Sequence, residues 1–344
     1  MIMKGAIYNP YWDTLGGGER YTISFAKVLT ELGYSVDIEW KDAGILGKIE
    51  ERFGIKLNNV NFVESVRKGE GYDVCFWISD GSIPLLHSRL NILHFQVPFV
   101  NVNGDSLINR MKMYRIKSVI CNSNFTKKVI DNEYKVNSLV VYPPCDTSKI
   151  KSKRKENVIL SVGRFSQLLQ AKHQDVLLDA FVKMTNRGLN DWKLLLVGGS
   201  DVGSDEFLKI LRRKAEGYPI EIIENPDYKK LVYLYGTAKI FWSASGYGED
   251  EKENPKKVEH FGISLVEAMA AGCTPVVYNA GGFPEIVEHG KNGMLWKSEN
   301  ELVRITKALI SDGKNLRSLS KEAVKRSKDF NYERFKEAVE KILQ

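Results

Sequence analysis

The sequence predicts an α/β protein made of two doubly wound parallel-sheet domains. At 344 residues the chain exceeds the usual size of a single core, so two domains are expected. Short β-rich runs alternate with amphipathic stretches such as "ERYTISFAKVLTEL", which is the βαβ rhythm of a parallel sheet covered on both faces. The rhythm restarts after "YPPCDTSKIKSKRKEN", whose prolines and charges are typical of a linker. We therefore expect one domain over 1–150 and a second that begins at 151.

Individual strands are predicted from apolar, β-branched runs that end in turn residues. In the first domain these runs are "KGAIYNP", "SVDIEW", "DVCFWIS", "LNILHFQ", "SVICNS" and "SLVVYPP". In the second they are "VILSVGRF", "KLLLVGG", "PIEIIE", "KIFWSAS", "TPVVYN" and "NGMLW". Ligands bind outside the carboxyl ends of such strands, so the loops that follow them are the candidate sites.

Composition narrows the class of protein. Hydrophobic residues make up 43% and charged residues 27%, as in ordinary folded proteins, and the absence of a long apolar run predicts a cytoplasmic chain without a membrane span or signal peptide. Four scattered cysteines and five histidines lack metal-ligand or disulfide spacing, so no metal is expected. The net charge of +7 suits phosphorylated ligands or acidic lipid surfaces, although a solubility or thermal-stability feature explains it equally; no nucleic-acid partner is expected.

The first candidate element is the glycine run Gly16, Gly17 and Gly18, which follows the first strand and leads into a helix. Glycines let backbone amides approach an anion, and a helix N-terminus favours negative charge, so this run predicts a phosphate contact. A dinucleotide GxGxxG fingerprint needs glycine where Tyr21 stands, which weakens a dehydrogenase interpretation. A flexible turn before a helix is the alternative.

The second element is "SVGRFSQLLQAKHQDVLLDAF", in which Arg164 and Lys172 follow the first strand of the second domain. Two cations there could hold a diphosphate, Arg164 through its planar fork and Lys172 as a point charge. Surface cations near helix starts are also commonplace.

The third element is "VEHFGISLVEAMAAG", where Glu259 and Glu267 are eight positions apart. A loop through Gly262 precedes a helix that begins near Ile263 or Ser264, so the backbone amides there form an anion site. Carboxylates accept hydrogen bonds from sugar hydroxyls, and the whole set therefore favours a nucleotide sugar. Helix N-terminal glutamates that favour the macrodipole are the simpler alternative.

The ordered series of motifs resembles the retaining glycosyltransferases of family 4, which have the GT-B architecture of two Rossmann-like domains facing across a cleft. The resemblance runs from "GGGERYTISFAKVLTELGYSVDI" through "ILSVGRF" and "KLLLVGG" to the E-x7-E motif of Glu259 and Glu267 and to "AMAAGCTPVVYNAGGFPEIVEHGKNGMLW". It implies a nucleotide-sugar domain over 151–325 and a terminal helix over 326–344 that packs back on the first domain. "GGGERY" and "EHFGISLVEAMAAG" are most similar to mannosyltransferases that elongate lipid-linked oligosaccharides.

The resemblance also implies roles for the residues. Glu267 would bind the ribose hydroxyls, Glu259 a hydroxyl of the donor sugar, and Arg164 with Lys172 the diphosphate. Fixed cations and amides would stabilise the charge that develops on the leaving diphosphate, so we expect no metal or other cofactor. The sequence contains no DxD-type carboxylate pair that would support a divalent ion.

His94 in "NILHFQVPF" is a further candidate, since it follows a first-domain strand and is expected at its carboxyl edge. A lone histidine is usually structural, but the resemblance implies a role in orienting the transferred sugar or the acceptor. His260 and His173 are weaker candidates.

The expected function is transfer of a hexose, with mannose favoured, from a nucleotide-diphosphate sugar to a glycan or lipid-linked acceptor. A glucosyl- or N-acetylglucosaminyltransferase that uses a UDP-sugar and a soluble acceptor is the alternative. An oxidoreductase and an inactive nucleotide-sugar binding protein are the competing classes. Base selectivity is expected near "ENPDYKK" and "VGGSD".

Residues 105–120 combine cations with apolar side chains, a mix that suits an anionic membrane surface. The spacing of Leu107, Met111 and Tyr114 also describes a helix packed on the first-domain sheet with its basic residues in water. The resemblance to enzymes with lipid-linked acceptors favours peripheral attachment at the cytoplasmic face of a membrane.

Overall fold

The computed structural model describes residues 2–14, 16–167, 170–200 and 203–344 and divides the chain into two compact units. Unit 1 comprises Met1–Pro144 together with Tyr332–Gln344, and unit 2 comprises Cys145–Asn331. The first division thus falls after Pro144 rather than at residue 150. The Cys145 amide donates a hydrogen bond of 2.8 Å to the Phe330 carbonyl, which ties the start of the linker to unit 2.

Unit 1 contains a seven-stranded parallel sheet in the order β3-β2-β1-β4-β5-β6-β7. Its strands are β1 Lys4–Tyr8, β2 Ser35–Glu39, β3 Val60–Val63, β4 Val74–Ile78, β5 Leu90–Phe95, β6 Ser118–Cys121 and β7 Leu139–Val140. Its helices before the linker are α1 Gly17–Glu31, α2 Ile45–Phe53, α3 Leu107–Met113 and α4 Asn124–Tyr134.

Unit 2 contains a six-stranded parallel sheet in the order β10-β9-β8-β11-β12-β13. Its strands are β8 Glu156–Val162, β9 Lys193–Gly198, β10 Ile220–Glu224, β11 Ala238–Ser243, β12 Thr274–Tyr278 and β13 Met294–Trp296. Its helices are α5 Gln174–Asn186, α6 Asp205–Ala215, α7 Tyr228–Thr237, α8 Ile263–Ala270, α9 Phe283–Ile286, α10 Glu299–Ser311 and α11 Gly313–Ser327. The structure therefore confirms the α/β class with two parallel sheets.

The last helix, α12 Tyr332–Leu343, belongs to unit 1 although it follows unit 2 in sequence. It packs on α1, and Phe335, Val339 and Ile342 join the buried cluster of that unit. The Phe335 ring meets the Tyr21 ring edge to face, with centroids 5.1 Å apart. Burial of this apolar face holds the end of the chain on the first sheet.

In each sheet the order of the strands reverses at the first strand. The next two strands in the chain add to one side of it, and the later strands add to the other side. In unit 1 this switch point lies between β1 and β4, and in unit 2 it lies between β8 and β11. Loops after these neighbouring strands diverge to opposite sides of the sheet and leave a crevice that ligands commonly occupy. The loops that carry Arg164, Lys172 and Glu259 follow β8 and β11.

All twelve predicted strands are present, and among the described residues β3 is the additional strand that the pattern did not reveal. It has only four residues, is half-buried at the sheet edge, and includes the exposed Asn61. Such a short edge strand gives little alternation in hydrophobicity. β7 is shortened to two residues, just before Pro143 and Pro144.

The alternative interpretation of the 105–120 segment, a helix that packs Leu107, Met111 and Tyr114 on the first-domain sheet, is wrong. Leu107, Met111 and Tyr114 are exposed, and the side chains that contact the neighbouring apolar cluster are the half-buried Met113 and Ile116. No residue of α3 is buried. Across the described part of the chain, every helix is too short or too polar to cross a bilayer.

Candidate functional site

The first loop of the candidate site leaves β8 where that strand runs close to β9. The Gly163 amide donates to the Val197 carbonyl at 2.9 Å. A Cβ at Gly198 would lie 1.9 Å from the Gly163 carbonyl oxygen, so only glycine permits this approach. Arg164 comes next and is exposed at the carboxyl edge of the sheet.

An ion pair between Lys172 and Glu259 joins the β8 loop to the β11 loop. Nζ of Lys172 lies 2.8 Å from Oε2 of Glu259 and 3.3 Å from the Ser245 hydroxyl oxygen. A Cβ at Gly163 would lie 2.8 Å from Cγ of Lys172, so the lysine stem packs directly on that glycine. The Lys172 and Glu259 side chains are 18% and 16% exposed, which limits the screening of their attraction by water.

The environment of Glu259 favours its charged form. Burial raises the pKa of this carboxyl, but the attraction and hydrogen bond of Lys172, the charge of His260 and the hydrogen bond of Ser245 together hold it below its ordinary value. Glu259 is therefore a carboxylate at neutral pH and can accept hydrogen bonds from sugar hydroxyls.

The backbone of Glu259 is held by the loop before α9. The Gly282 amide donates to the Glu259 carbonyl at 2.8 Å, and a Cβ at Gly281 would lie 2.1 Å from the same oxygen. The Gly281 amide donates in turn to a carboxylate oxygen of Glu251 at 2.8 Å. This close packing orients the loop that presents the Glu259 side chain.

The helix expected after Gly262 is α8, which begins at Ile263 as predicted. Gly262 has φ of +115°, and a Cβ there would lie 2.8 Å from Cε1 of Phe283, so a side chain at this position would be both strained and crowded. Ser264 lies in the first turn of α8. Glu267 is the fifth helical residue, just past the first turn of α8, with 7% of its surface exposed.

The glycine run belongs to unit 1, and the structure gives its members local roles. Gly16 caps α1, and its amide donates to a carboxylate oxygen of Glu19 at 2.7 Å. Gly17 is the first helical residue. A Cβ at Gly18 would lie 2.2 Å from Oε1 of Gln96, so this glycine leaves room for the Gln96 side chain. Leu15, just before the run, lies outside the described residues.

His94 lies inside β5 rather than after it, and its side chain is fully buried. Its ring stacks on Tyr21 at a centroid distance of 4.1 Å and on Phe76 at 5.6 Å. Nδ1 lies 3.3 Å from the Ile120 carbonyl oxygen, and Nε2 has no hydrogen-bond partner among the described residues. Burial lowers the pKa of His94 to about 3, so the imidazole is neutral at ordinary pH.

The two weaker histidine candidates each directly follow one member of the ion pair in sequence. His260 follows Glu259 and is buried, and it is one of the groups that lower the pKa of that carboxyl. His173 follows Lys172 in a left-handed conformation, and its ring meets Tyr247 edge to face. Burial lowers the pKa of His173.

Ser245, which contacts both members of the ion pair, belongs to no sequence motif; its place just after β11 was the only available signal. Asp201, the last residue of the "VGGSD" stretch, lies outside the described residues.

Comparison with solved structures identifies the class of fold. The chain is similar over 99% of its length to a glycosyltransferase from Rickettsia africae, with 99% of that chain covered, a TM-score of 0.78 and 17% identity. It is similarly related to Anabaena HepE in complex with UDP and glucose, with a TM-score of 0.73, 17% identity and 98% of both chains covered. These likenesses confirm the GT-B fold class.

The sequence comparisons give the family. The family described as "Glycosyl transferases group 1" matches residues 146–326. This is more than half of the chain, so the protein belongs to that family. It is 28% identical over 249 residues to the human GDP-Man:Man(3)GlcNAc(2)-PP-Dol alpha-1,2-mannosyltransferase, which covers 66% of this chain and 49% of that protein. An uncharacterized glycosyltransferase of Methanocaldococcus jannaschii is 23% identical and covers 100% of this chain and 99% of its own length. The chain spans about half the length, or less, of the mannosyltransferases that it matches first.

Proposed function

We propose that this protein is a retaining, metal-independent hexosyltransferase that moves mannose from GDP-mannose to a glycan or lipid-linked acceptor. The observation that carries the proposal is the Lys172–Glu259 pair, which lies inside the matched family region and at the switch point of the second sheet. The preference for mannose rests on relatives named as mannosyltransferases, such as the human protein.

The proposed chemistry assigns the cations to the central diphosphate of the donor and the two carboxylates to the sugars on either side of it. Arg164 and Lys172 would neutralise the diphosphate as the bond from the sugar to its leaving oxygen breaks, a task that fixed cations can perform in place of a divalent ion. The amides at Gly262, Ile263 and Ser264 would add hydrogen bonds at the helix N-terminus. Glu259 would accept a hydrogen bond from the sugar and Glu267 from the ribose.

Donor choice is tested by a thermal-shift screen of GDP-mannose, UDP-glucose, UDP-N-acetylglucosamine, ADP-glucose and NAD. A ligand that binds only the folded protein at 100 times its Kd stabilises it by about 2.7 kcal/mol. We expect the largest increase in Tm with GDP-mannose and none with NAD. A larger shift with a UDP-sugar would favour the alternative transferase, and a shift with NAD alone would favour an oxidoreductase.

Turnover is tested with the donor that binds best. Mass spectrometry of the product, nuclear magnetic resonance of its anomeric configuration and release of the nucleoside diphosphate should all report transfer with retention, and EDTA should leave the rate unchanged. Binding without transfer to any glycan or lipid-linked acceptor would indicate a binding protein. Inversion, or loss of activity that Mg²⁺ restores, would overturn the corresponding part of the proposal.

The acceptor side of the proposal is peripheral attachment to anionic membranes through the 105–120 segment. Four large apolar side chains on or next to α3 are 66–93% exposed: Leu107, Ile108, Met111 and Tyr114. Four cations share the segment: Arg110, Lys112, Arg115 and Lys117. Apolar side chains that enter the interface beside cations that attract anionic lipid are typical of monotopic attachment.

Vesicle flotation with phosphatidylserine-containing liposomes tests this attachment. Replacing the four cations with serine should abolish flotation at low salt, because each contributes about 1 kcal/mol near an anionic surface. Replacing four exposed cations of α11, Lys314, Arg317, Lys321 and Lys325, changes the net charge equally and should leave flotation intact. If the wild type does not float, or if both variants behave alike, the segment does not bind the membrane and a soluble acceptor is favoured.

A further inference from the structure

Ser245 lies where the two loops of the candidate site meet. It follows β11 by two residues, is fully buried, and its hydroxyl contacts both Lys172 and Glu259. A hydroxyl has one donor and two acceptor positions, whereas an ammonium only donates and a carboxylate only accepts. Ser245 can therefore accept from Lys172 and donate to Glu259 at the same time.

The turn that carries Ser245 is held against the residue before Glu259. The Ser245 amide lies 3.4 Å from the Ser243 hydroxyl oxygen. Gly246 has φ of +86°, and a Cβ there would lie 2.9 Å from Cγ1 of Val258. The backbone that carries the Ser245 hydroxyl is thus packed against the segment that carries Glu259 through contacts that do not involve Lys172.

The single positive charge of Lys172 cannot fully neutralise both Glu259 and a diphosphate. Its ammonium lies 2.8 Å from the Glu259 carboxylate, so the charge that would hold phosphate is already neutralised. A diphosphate carries more negative charge than one carboxylate and would draw the ammonium away. Glu259, largely shielded from water, would then lose its cationic hydrogen-bond donor.

We propose that Ser245 is a positioning residue that keeps the Glu259 carboxylate oriented and charged when Lys172 turns to the donor diphosphate. This inference rests on the proposed glycosyl transfer. Lys172 would pair first with Glu259 and then with the diphosphate. Ser245 would donate a hydrogen bond to Glu259 in both states. The direction of the Glu259 pKa agrees with it, since burial raises that pKa and the combined effect of Lys172, His260 and Ser245 outweighs burial.

Ser245→Ala tests the proposal by separating binding from turnover. The donor Kd should change less than about threefold, because the phosphate contacts of Lys172 remain, while kcat should fall about 10- to 100-fold, the scale of a lost hydrogen bond to a charged group. The acidic limb of the kcat profile should move to higher pH, because Glu259 loses a group that lowers its pKa. Ser245→Thr restores the hydroxyl and should return both the rate and the limb towards wild type.

Thr274→Val is the matched control, since it removes another buried hydroxyl of unit 2, one at the start of β12 that donates to the Leu316 carbonyl at 2.9 Å. It should lower Tm without moving the acidic limb. Wild-type kcat and an unmoved limb in Ser245→Ala would overturn the positioning role while leaving the glycosyltransferase proposal intact. A wild-type protein that transfers no sugar would instead overturn both.

Discussion

The surroundings of Glu259 in unit 2 and of His94 in unit 1 show how differently two polar residues near strand ends can be placed. Glu259 lies in a loop after β11, within hydrogen-bonding distance of a cation and against a backbone packed with glycines. His94 is still inside β5, and its side chain enters a face covered by the Tyr21 and Phe76 rings. Proximity to the carboxyl end of a strand is thus not sufficient for a reactive site, because the direction of the side chain decides what surrounds it.

The same comparison holds for protonation. Both pKa values are lowered, but by different causes and with opposite consequences for charge. At Glu259 burial is the largest single influence and raises the pKa, but Lys172, His260 and Ser245 together outweigh burial, so the group remains charged. At His94 burial is the principal cause, and the group remains neutral. The first environment favours binding of polar ligands, whereas the second stabilises the core of unit 1 at neutral pH.

The largest expected effect is that of Lys172→Ala, which removes the cation from the site. We expect kcat/KM to fall about 30- to 1000-fold, or roughly 2–4 kcal/mol, the scale of a lost donor to a developing negative charge. Steady-state kinetics on purified protein would measure it. The kcat/KM of Arg164→Ala should fall by a similar factor if the exposed Arg164 also binds the diphosphate.

Exposed Lys183 supplies the control for Lys172. It pairs with Glu299 at 2.6 Å outside the loops of the site, and Lys183→Ala should keep wild-type kinetics. If Lys172→Ala also turned over at the wild-type rate, the proposed diphosphate contact would be wrong, and the ion pair with Glu259 would be a purely structural feature.

The sequence was most informative where the signal was local. The strands, the start of α8 at Ile263 and the loop position of Glu259 follow from hydrophobic runs and from Gly262. The partner of Lys172 could not be predicted from residue patterns, because Lys172 and Glu259 are 87 positions apart and meet only through the order of β8 and β11. Ser245 is a common residue type in an unremarkable position, and only its contacts distinguish it.

The two glutamates of the E-x7-E motif should respond differently to substitution. Glu267→Ala is expected to weaken donor binding about 10- to 100-fold, whereas Glu259→Ala should mainly lower kcat by a similar factor, since one carboxylate is assigned to ribose and the other to the reacting sugar. Calorimetric Kd and steady-state kcat separate the two effects. Identical profiles for both variants would contradict the assignment.

A smaller effect, on stability rather than activity, is expected at His94. Its folded pKa of about 3 lies below the ordinary 6.5, so below pH 6.5 the unfolded chain binds a proton that the folded protein does not. The stabilisation is therefore complete above pH 6.5 and is lost at about 1.4 kcal/mol per unit as the pH falls towards 3. Measured by urea unfolding, the free energy of unfolding should decline less between pH 7 and 5 in His94→Phe than in the wild type.

The control for His94 is the same replacement at His87, which is exposed and should leave the decline unchanged. Activity provides the second measurement. If His94→Phe kept its stability profile but lost turnover, the orienting role implied by the family resemblance would be favoured over the structural role that the aromatic packing indicates.

The smallest expected effect concerns the glycines of the two regions. Gly18→Ala places a Cβ against the amide end of Gln96, a flexible side chain that can move, so the free energy of unfolding should fall by less than about 1 kcal/mol. Gly262→Ala forces a left-handed backbone at φ of +115° and a contact with the Phe283 ring, and should cost about 1–3 kcal/mol. Urea midpoints of the two variants measure the difference. Equal losses would mean that the Gln96 side chain in unit 1 is held as firmly as the start of α8 in unit 2. The glycine run would then do more than cap α1 and leave room for Gln96.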